Sequence, residues 1–131
     1  MKIILIFSFF FGFAFMFKEE LFVSSDKMTY QQALSISQQN SKPIMLKLTA
    51  DNCKYCIKMD KEVLADAEVQ TFISKHFIAV SVDVDKDKIP LGMKQTMTPT
   101  FVFINKNEEI VSKLPGAWNK KDFMDLLRNR V

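Results

Sequence analysis

The chain has 131 residues, 48% of them hydrophobic and 25% charged, with a formal net charge of +3 at pH 7. That length holds one compact domain with a real core and excludes a two-domain enzyme or a repeat array. Lys and Arg are scattered rather than gathered into a stripe or block, which argues against a nucleic-acid binder.

The chain opens with Met1 and Lys2, then runs from Ile3 to Phe17 without a charge before Lys18-Glu19-Glu20. A basic start followed by a short apolar run fits an export signal, and the run is short for a permanent span, which needs about 20 residues. No Ala-x-Ala follows Phe17, and Val23-Ser24-Ser25 is the nearest small-residue site for cleavage. The expectation is a signal peptide or short membrane anchor over 1–17, a spacer over 18–27 and a folded domain over 28–131. An exported, periplasmic protein follows, soluble or held at the membrane by its apolar segment.

Thr29 is placed to cap a first helix through Tyr30-Gln31-Gln32-Ala33-Leu34-Ser35-Ile36, and Asn40-Ser41-Lys42-Pro43 to break it. Ile44 to Thr49 reads as a central strand, ended by Asp51-Asn52. Cys56, Met59, Val63 and Leu64 recur at helical spacing within Cys53–Leu64, and Val69, Phe72 and Ile73 mark another helical stretch after Asp66. Phe77 to Val84 reads as a second buried strand, with His76 at its start. Asp85 to Lys88 is a solvated loop, and Ile89 to Gln95 predicts a short helix. Thr100–Ile104 and Glu109–Leu114 form a hairpin that Pro115-Gly116 stops. Asn119 caps a last helix with Phe123, Leu126 and Leu127 inward. Trp118 is expected to pack on that helix, Gly116 to serve backbone geometry, and the dispersed methionines to fill the core. The order predicts an α/β sandwich around a small mixed sheet.

The chain has two cysteines, Cys53 and Cys56, spaced C-x-x-C at a strand-to-helix junction. The unpaired N–H groups and positive dipole end of the helix stabilise a thiolate at Cys53, and Lys54 adds a positive charge. Cys56, one turn further in, is the shielded partner. Cys53 would attack or be attacked, and Cys56 would resolve the mixed disulfide. Two other readings stand beside this one. Half a zinc site would need further ligands, and His76 is the sole histidine. A static structural disulfide is the other.

Ala50-Asp51-Asn52-Cys53-Lys54-Tyr55-Cys56-Ile57-Lys58-Met59, after a strand, resembles the active-site segment of the thioredoxin superfamily. Met97-Thr98-Pro99-Thr100-Phe101-Val102-Phe103 resembles that family's cis-proline strand, 43 residues beyond Cys56. Leu64-Ala65-Asp66-Ala67-Glu68-Val69-Gln70 is similar to the C-terminal domain of the bacterial membrane thiol:disulfide interchange protein and related exported thioredoxin-like proteins. The resemblance implies a thioredoxin fold, a mixed four- to five-stranded sheet flanked by helices on both faces. It also implies a cis Thr98–Pro99 bond whose backbone pairs with an extended substrate; by itself, Pro99 would read as an ordinary strand-start proline.

Four positions depart from the pattern. Lys47 stands where many thioredoxins have a buried Asp below the resolving cysteine. It is expected either to pair with Asp60 and tune Cys56 or to snorkel to the sheet edge. Asn52 replaces the usual Trp, and Lys54-Tyr55 replaces Gly-Pro between the cysteines.

The sequence is therefore read as a protein thiol–disulfide oxidoreductase, leaning toward a reductase and needing no cofactor or metal. Expected partners are proteins with disulfides or dithiols, with a membrane thiol reductase as electron donor; the chain is expected to be a monomer. The alternatives are a thioredoxin-fold binding or chaperone-like module and a metal-delivery protein.

Overall fold

A computed structural model describes residues 28–94 and 97–131. The expectations for residues 1–17 and 18–27 lie outside the described residues.

The first helix, α1, spans Tyr30–Asn40. Thr29 Oγ1 accepts the Gln32 N–H at 3.2 Å, and Gln32 Oε1 accepts the Thr29 N–H at 2.9 Å, a reciprocal cap. The helix runs past Ile36 to Asn40 and ends when Ser41 turns left-handed (φ +57°) and donates to Ser37 O. Ala33, Leu34 and Ser37 form its buried face.

Strand β1 (Ile44–Thr49) is central in a four-stranded sheet with β2 (Ile78–Asp83), β3 (Thr100–Ile104) and β4 (Ile110–Pro115). The order is β2-β1-β3-β4, with β1 and β2 parallel and the other pairs antiparallel. β4 begins and ends one residue later than its sequence suggests, because Glu108 turns the hairpin with φ +62°. The β3–β4 register shifts between Phe103 and Ile104.

Alternation along β1 sends Ile44, Leu46 and Leu48 to one face, where they pack with Ala33, Leu34, Val80, Val82 and Val102 under α1. Met45 faces the other way, into a core with Met59, Val63, Phe101, Phe103 and Phe123. That second layer comes from α2 (Lys54–Met59), α3 (Ala67–His76) and α4 (Lys120–Arg128). Asp66 caps α3 by accepting from the Glu68 and Val69 N–H groups, and Asn119 caps α4 by accepting from Asp122. In α4, Phe123 and Leu127 are buried as expected, together with Met124.

Four expectations need correction. The helix read over Cys53–Leu64 changes type at Asp60: Asp60–Leu64 is a π turn in which the Ala65 N–H reaches back to Asp60 O at 2.9 Å. In place of a helix over Ile89–Gln95 there is a 3₁₀ turn at Pro90–Gly92, because Leu91 and Gly92 are consecutive left-handed residues that no helix accommodates; Gln95 lies outside the described residues. His76 closes α3 instead of opening a strand, its ring 4.5 Å from that of Phe72. Met97 is not core filler: it is 54% exposed, beside Pro99.

Candidate active site

β1 ends at Thr49, Asp51 and Asn52 turn the chain, and Cys53 becomes the N-cap of α2. Its Sγ accepts the Cys56 N–H at 3.1 Å, so a helix-start donor that would otherwise lack a partner points at the sulfur. The two sulfurs are joined as a disulfide, 2.10 Å apart. Cys53 is 9% exposed and Cys56 2%, the accessibility order expected of an attacking and a resolving cysteine. Lys54 and Tyr55 between them are exposed.

The Thr98–Pro99 peptide bond is cis. Antiparallel pairing of Leu48 with Thr100 places this turn off the same sheet end from which β1 leads into Cys53. Pro99 O accepts the Gly116 N–H at 2.8 Å, and Met97 O accepts the Thr100 hydroxyl at 2.9 Å. Gly116 has φ +90°, a conformation that favours glycine, as its expected backbone role requires.

Lys47 points to the α2 side of the sheet. Its Nζ donates to Asp60 Oδ1 at 2.6 Å, with side chains 12% and 46% exposed, respectively. Of the two readings of Lys47, the structure has the ion pair. The Asp60 N–H bonds in turn to the carbonyls of Cys56 and Ile57, so the pair is tied to the helical turn carrying the second cysteine.

One contact has no signal in the sequence. Lys86, in the loop after β2, donates to Asp51 at 2.6 Å and lies 3.6 Å from Asp83. That hydrogen bond holds the Asp51 carboxyl below the usual carboxylate range and the Lys86 ammonium above its own. The loop beyond β2 is thereby anchored to the turn before Cys53.

Among the described residues no group of three or more His, Cys, Asp or Glu side chains could hold a metal. No described helix is long and apolar enough to cross a membrane. Cysteines, cis-proline turn and half-buried ion pair thus gather around the end of β1 and the first turns of α2.

Comparison with known proteins agrees with this architecture. The chain is 41% identical over 56 residues to the disulfide bond reductase DsbH of Chlamydia pneumoniae, a match covering 42% of this chain and 34% of DsbH. It is 27% identical over 93 residues to anterior gradient protein 1 of Xenopus laevis, covering 71% of this chain and 51% of that protein. The chain therefore spans about half or less of these curated relatives. Its structure superposes on a thioredoxin from Thermus thermophilus with a TM-score of 0.66 at 31% identity, covering 77% of this chain and 82% of that one. The family model for a thioredoxin-like domain matches residues 30–130, and the chain belongs to that family.

Proposed function

We propose that the protein is an exported thiol–disulfide oxidoreductase that reduces disulfides in other proteins through Cys53 and Cys56. The observation that carries this reading is the cysteine pair at the start of α2, with the Cys56 N–H aimed at Cys53 Sγ.

In the reduced protein, the Cys53 thiolate attacks one sulfur of a substrate disulfide. The substrate S–S bond breaks, one substrate thiolate leaves and a mixed disulfide forms. The Cys56 thiolate then attacks Cys53 Sγ and releases the second substrate thiolate. Two electrons pass to the substrate, and the protein is left with its Cys53–Cys56 bond. The Cys56 N–H stabilises charge on Cys53 Sγ when it attacks and again when it leaves.

Thr98 and Pro99 supply the backbone against which an extended substrate strand docks. Lys54 adds positive charge beside the pair, and Tyr55 forms part of the exposed surface around it. The Lys47–Asp60 pair sets the charge environment of Cys56. Regeneration requires a dithiol donor, for which a membrane thiol reductase is the expected partner. Residues 1–17 direct export or anchor the chain, which acts as a monomer without cofactor or metal. The name of the Chlamydia pneumoniae relative, a disulfide bond reductase, supports the reducing direction.

The deciding measurement is the reduction potential of the cysteine pair, obtained by equilibration in glutathione or dithiothreitol buffers. A value of about −270 mV is expected for a reductant; about −120 mV makes the protein an oxidant and overturns the direction. Failure to cycle at all overturns the exchange reading.

A further inference from the structure

The turn that leads from β1 into Cys53 has carboxylates on one side. Asp51 stands two residues before the cysteine, so their Cα atoms are at most about 7 Å apart. Parallel pairing of Thr49 with Asp83 brings the end of β2 beside the same turn, and Asp85 and Asp87 follow in the loop. Negative charge at this range disfavours a thiolate, and it lies within the Debye length of about 8–10 Å at moderate salt.

Lys86 sits against these carboxylates. Its Nζ is 2.6 Å from Asp51 Oδ1 and 3.6 Å from Asp83 Oδ2. Backbone hydrogen bonds fix the loop that carries it. The Val84 N–H donates to Thr49 O at 2.9 Å, and the Lys86 and Asp87 N–H groups donate to Asp83 O at 3.2 and 2.8 Å. The Asp85 N–H donates to Asp83 Oδ1 at 2.9 Å, and the Asp83 N–H to Asp87 Oδ2 at 3.0 Å. Lys86 is thus held opposite a residue 35 positions earlier in the chain. Both side chains are more than half exposed, so the pair adds little to stability; its effect is on the local field.

Other charges stand elsewhere around the cysteines. Lys54 is exposed at the start of α2, and Lys47 is engaged with Asp60 on the Cys56 side. Lys88 lies by the start of α1, and the turn from Met97 to Thr100 has no charged side chain.

We propose that Lys86 is a positioning residue of the exchange site: by holding the Asp51 and Asp83 carboxylates, it keeps their charge from opposing the Cys53 thiolate. The inference rests on the exchange reading and adds a residue outside α2 that sets how readily the attacking cysteine ionises.

The test compares the prereduced full chain with Lys86→Met, Lys86→Arg and Asp51→Asn. Alkylation of Cys53 by iodoacetamide is followed against pH at about 10 mM ionic strength, where the Debye length is roughly 30 Å. Lys86→Met is expected to raise the Cys53 midpoint by about 0.3–0.5 unit, an about two- to threefold slower alkylation below it. Asp51→Asn is expected to lower the midpoint, and Lys86→Arg, which keeps the charge, to stay within about 0.1 unit of the unaltered protein. Salt at about 1 M should erase the Lys86→Met shift. A midpoint unmoved in Lys86→Met at low salt overturns the proposal. So does a shift that Lys86→Arg shares, that survives high salt, or that has the same sign in Asp51→Asn, as a merely loosened turn would give. Alkylation reads ionisation without exchange, so reduction of oxidised glutathione is measured separately. Exchange with an unmoved midpoint removes the proposal alone, whereas the expected shifts in a chain inert toward every disulfide remove the exchange reading and leave the charge relation standing.

Discussion

Lys47 Nζ lies 2.6 Å from Asp60 Oδ1, joining the central strand to the helix one turn beyond Cys56. The bond comes from opposite sides of the polypeptide architecture: a strand position facing α2 supplies the cation, and the first residue of the π turn supplies the anion. Lys47 is largely enclosed while Asp60 is half open to water. Losing one partner therefore does not have the same effect as losing the other.

Asp60→Asn leaves an enclosed ammonium without its counter-ion and should destabilise by about 1–3 kcal/mol. Lys47→Met leaves a carboxylate that water can solvate and should cost about 1 kcal/mol or less. Urea unfolding distinguishes the two. Their effects on chemistry have opposite signs: removing the cation should move Cys56 thiolate formation to higher pH, and removing the anion should move it to lower pH. Thiolate absorbance against pH reads both, and an unmoved Cys56 titration in Lys47→Met removes the tuning role.

Phe101 and Phe123 are fully buried, with ring centroids 4.9 Å apart. Phe101→Ala removes the bulk at the junction of β3 and α4 and should cost about 3–5 kcal/mol. The urea midpoint falls while the slope stays constant if the native fold survives.

Asp66 caps α3 and also accepts from Lys120 at 2.9 Å. The hydrogen bond to Lys120 is the main cause of its lowered carboxyl pKa, helped by the Val69 and Glu68 N–H groups, while desolvation opposes the shift. The stabilisation is present above the ordinary value of 3.8 and is lost as pH falls through the lower folded value. Thermal unfolding from neutral pH down through this range should show the loss. Asp66→Asn, which keeps a capping oxygen but no charge, should flatten that part of the profile.

Tyr30 donates to Glu108 at 3.3 Å, and its phenol pKa is pushed up to about 12, first by desolvation and then by the Glu108 charge and hydrogen bond. Its contribution to stability is present below the ordinary value of 10.0 and disappears as pH rises through the folded value. Tyr30→Phe should abolish the latest phenolate absorbance step in alkaline titration. A step that remains in Tyr30→Phe contradicts the assignment.

Much of this architecture is legible in the amino-acid order because it depends on short-range chemistry. Thr29 and Asn119 stand where side-chain oxygens reach helix-start N–H groups, and the apolar run of β3 suits a strand covered on both faces. Cys53, Cys56 and Pro99 were legible through motif and resemblance, and the partner of Lys47 through its offset from the cysteines. The π turn was not: Cys56, Met59 and Val63 have spacings that an α-helix also satisfies, so periodicity does not reveal the extra residue in the turn. The charges of Lys86 and Asp51 lie in two loops whose approach depends on sheet assembly. Leu91 illustrates the same boundary, since its apolar side chain suggests helix while its backbone is left-handed. The approach of Trp118 to Tyr55 and Met59 across a small cavity escapes any linear reading, because its walls are distant in sequence.

The shift in pairing between Phe103 and Ile104 falls where β3 meets β4, the strand at one border of the sheet. β4 forms one border of the sheet and exposes Ile110 and Val111, residues well suited to recruiting another strand. The irregularity twists that border away from a flat template, the exposed Lys113 places a charge along it, and Pro115 offers no N–H for a new ladder. A pairing irregularity, an edge charge and an edge proline are the means by which sheet borders avoid edge-to-edge pairing, and all three stand on β4 beside its exposed apolar residues.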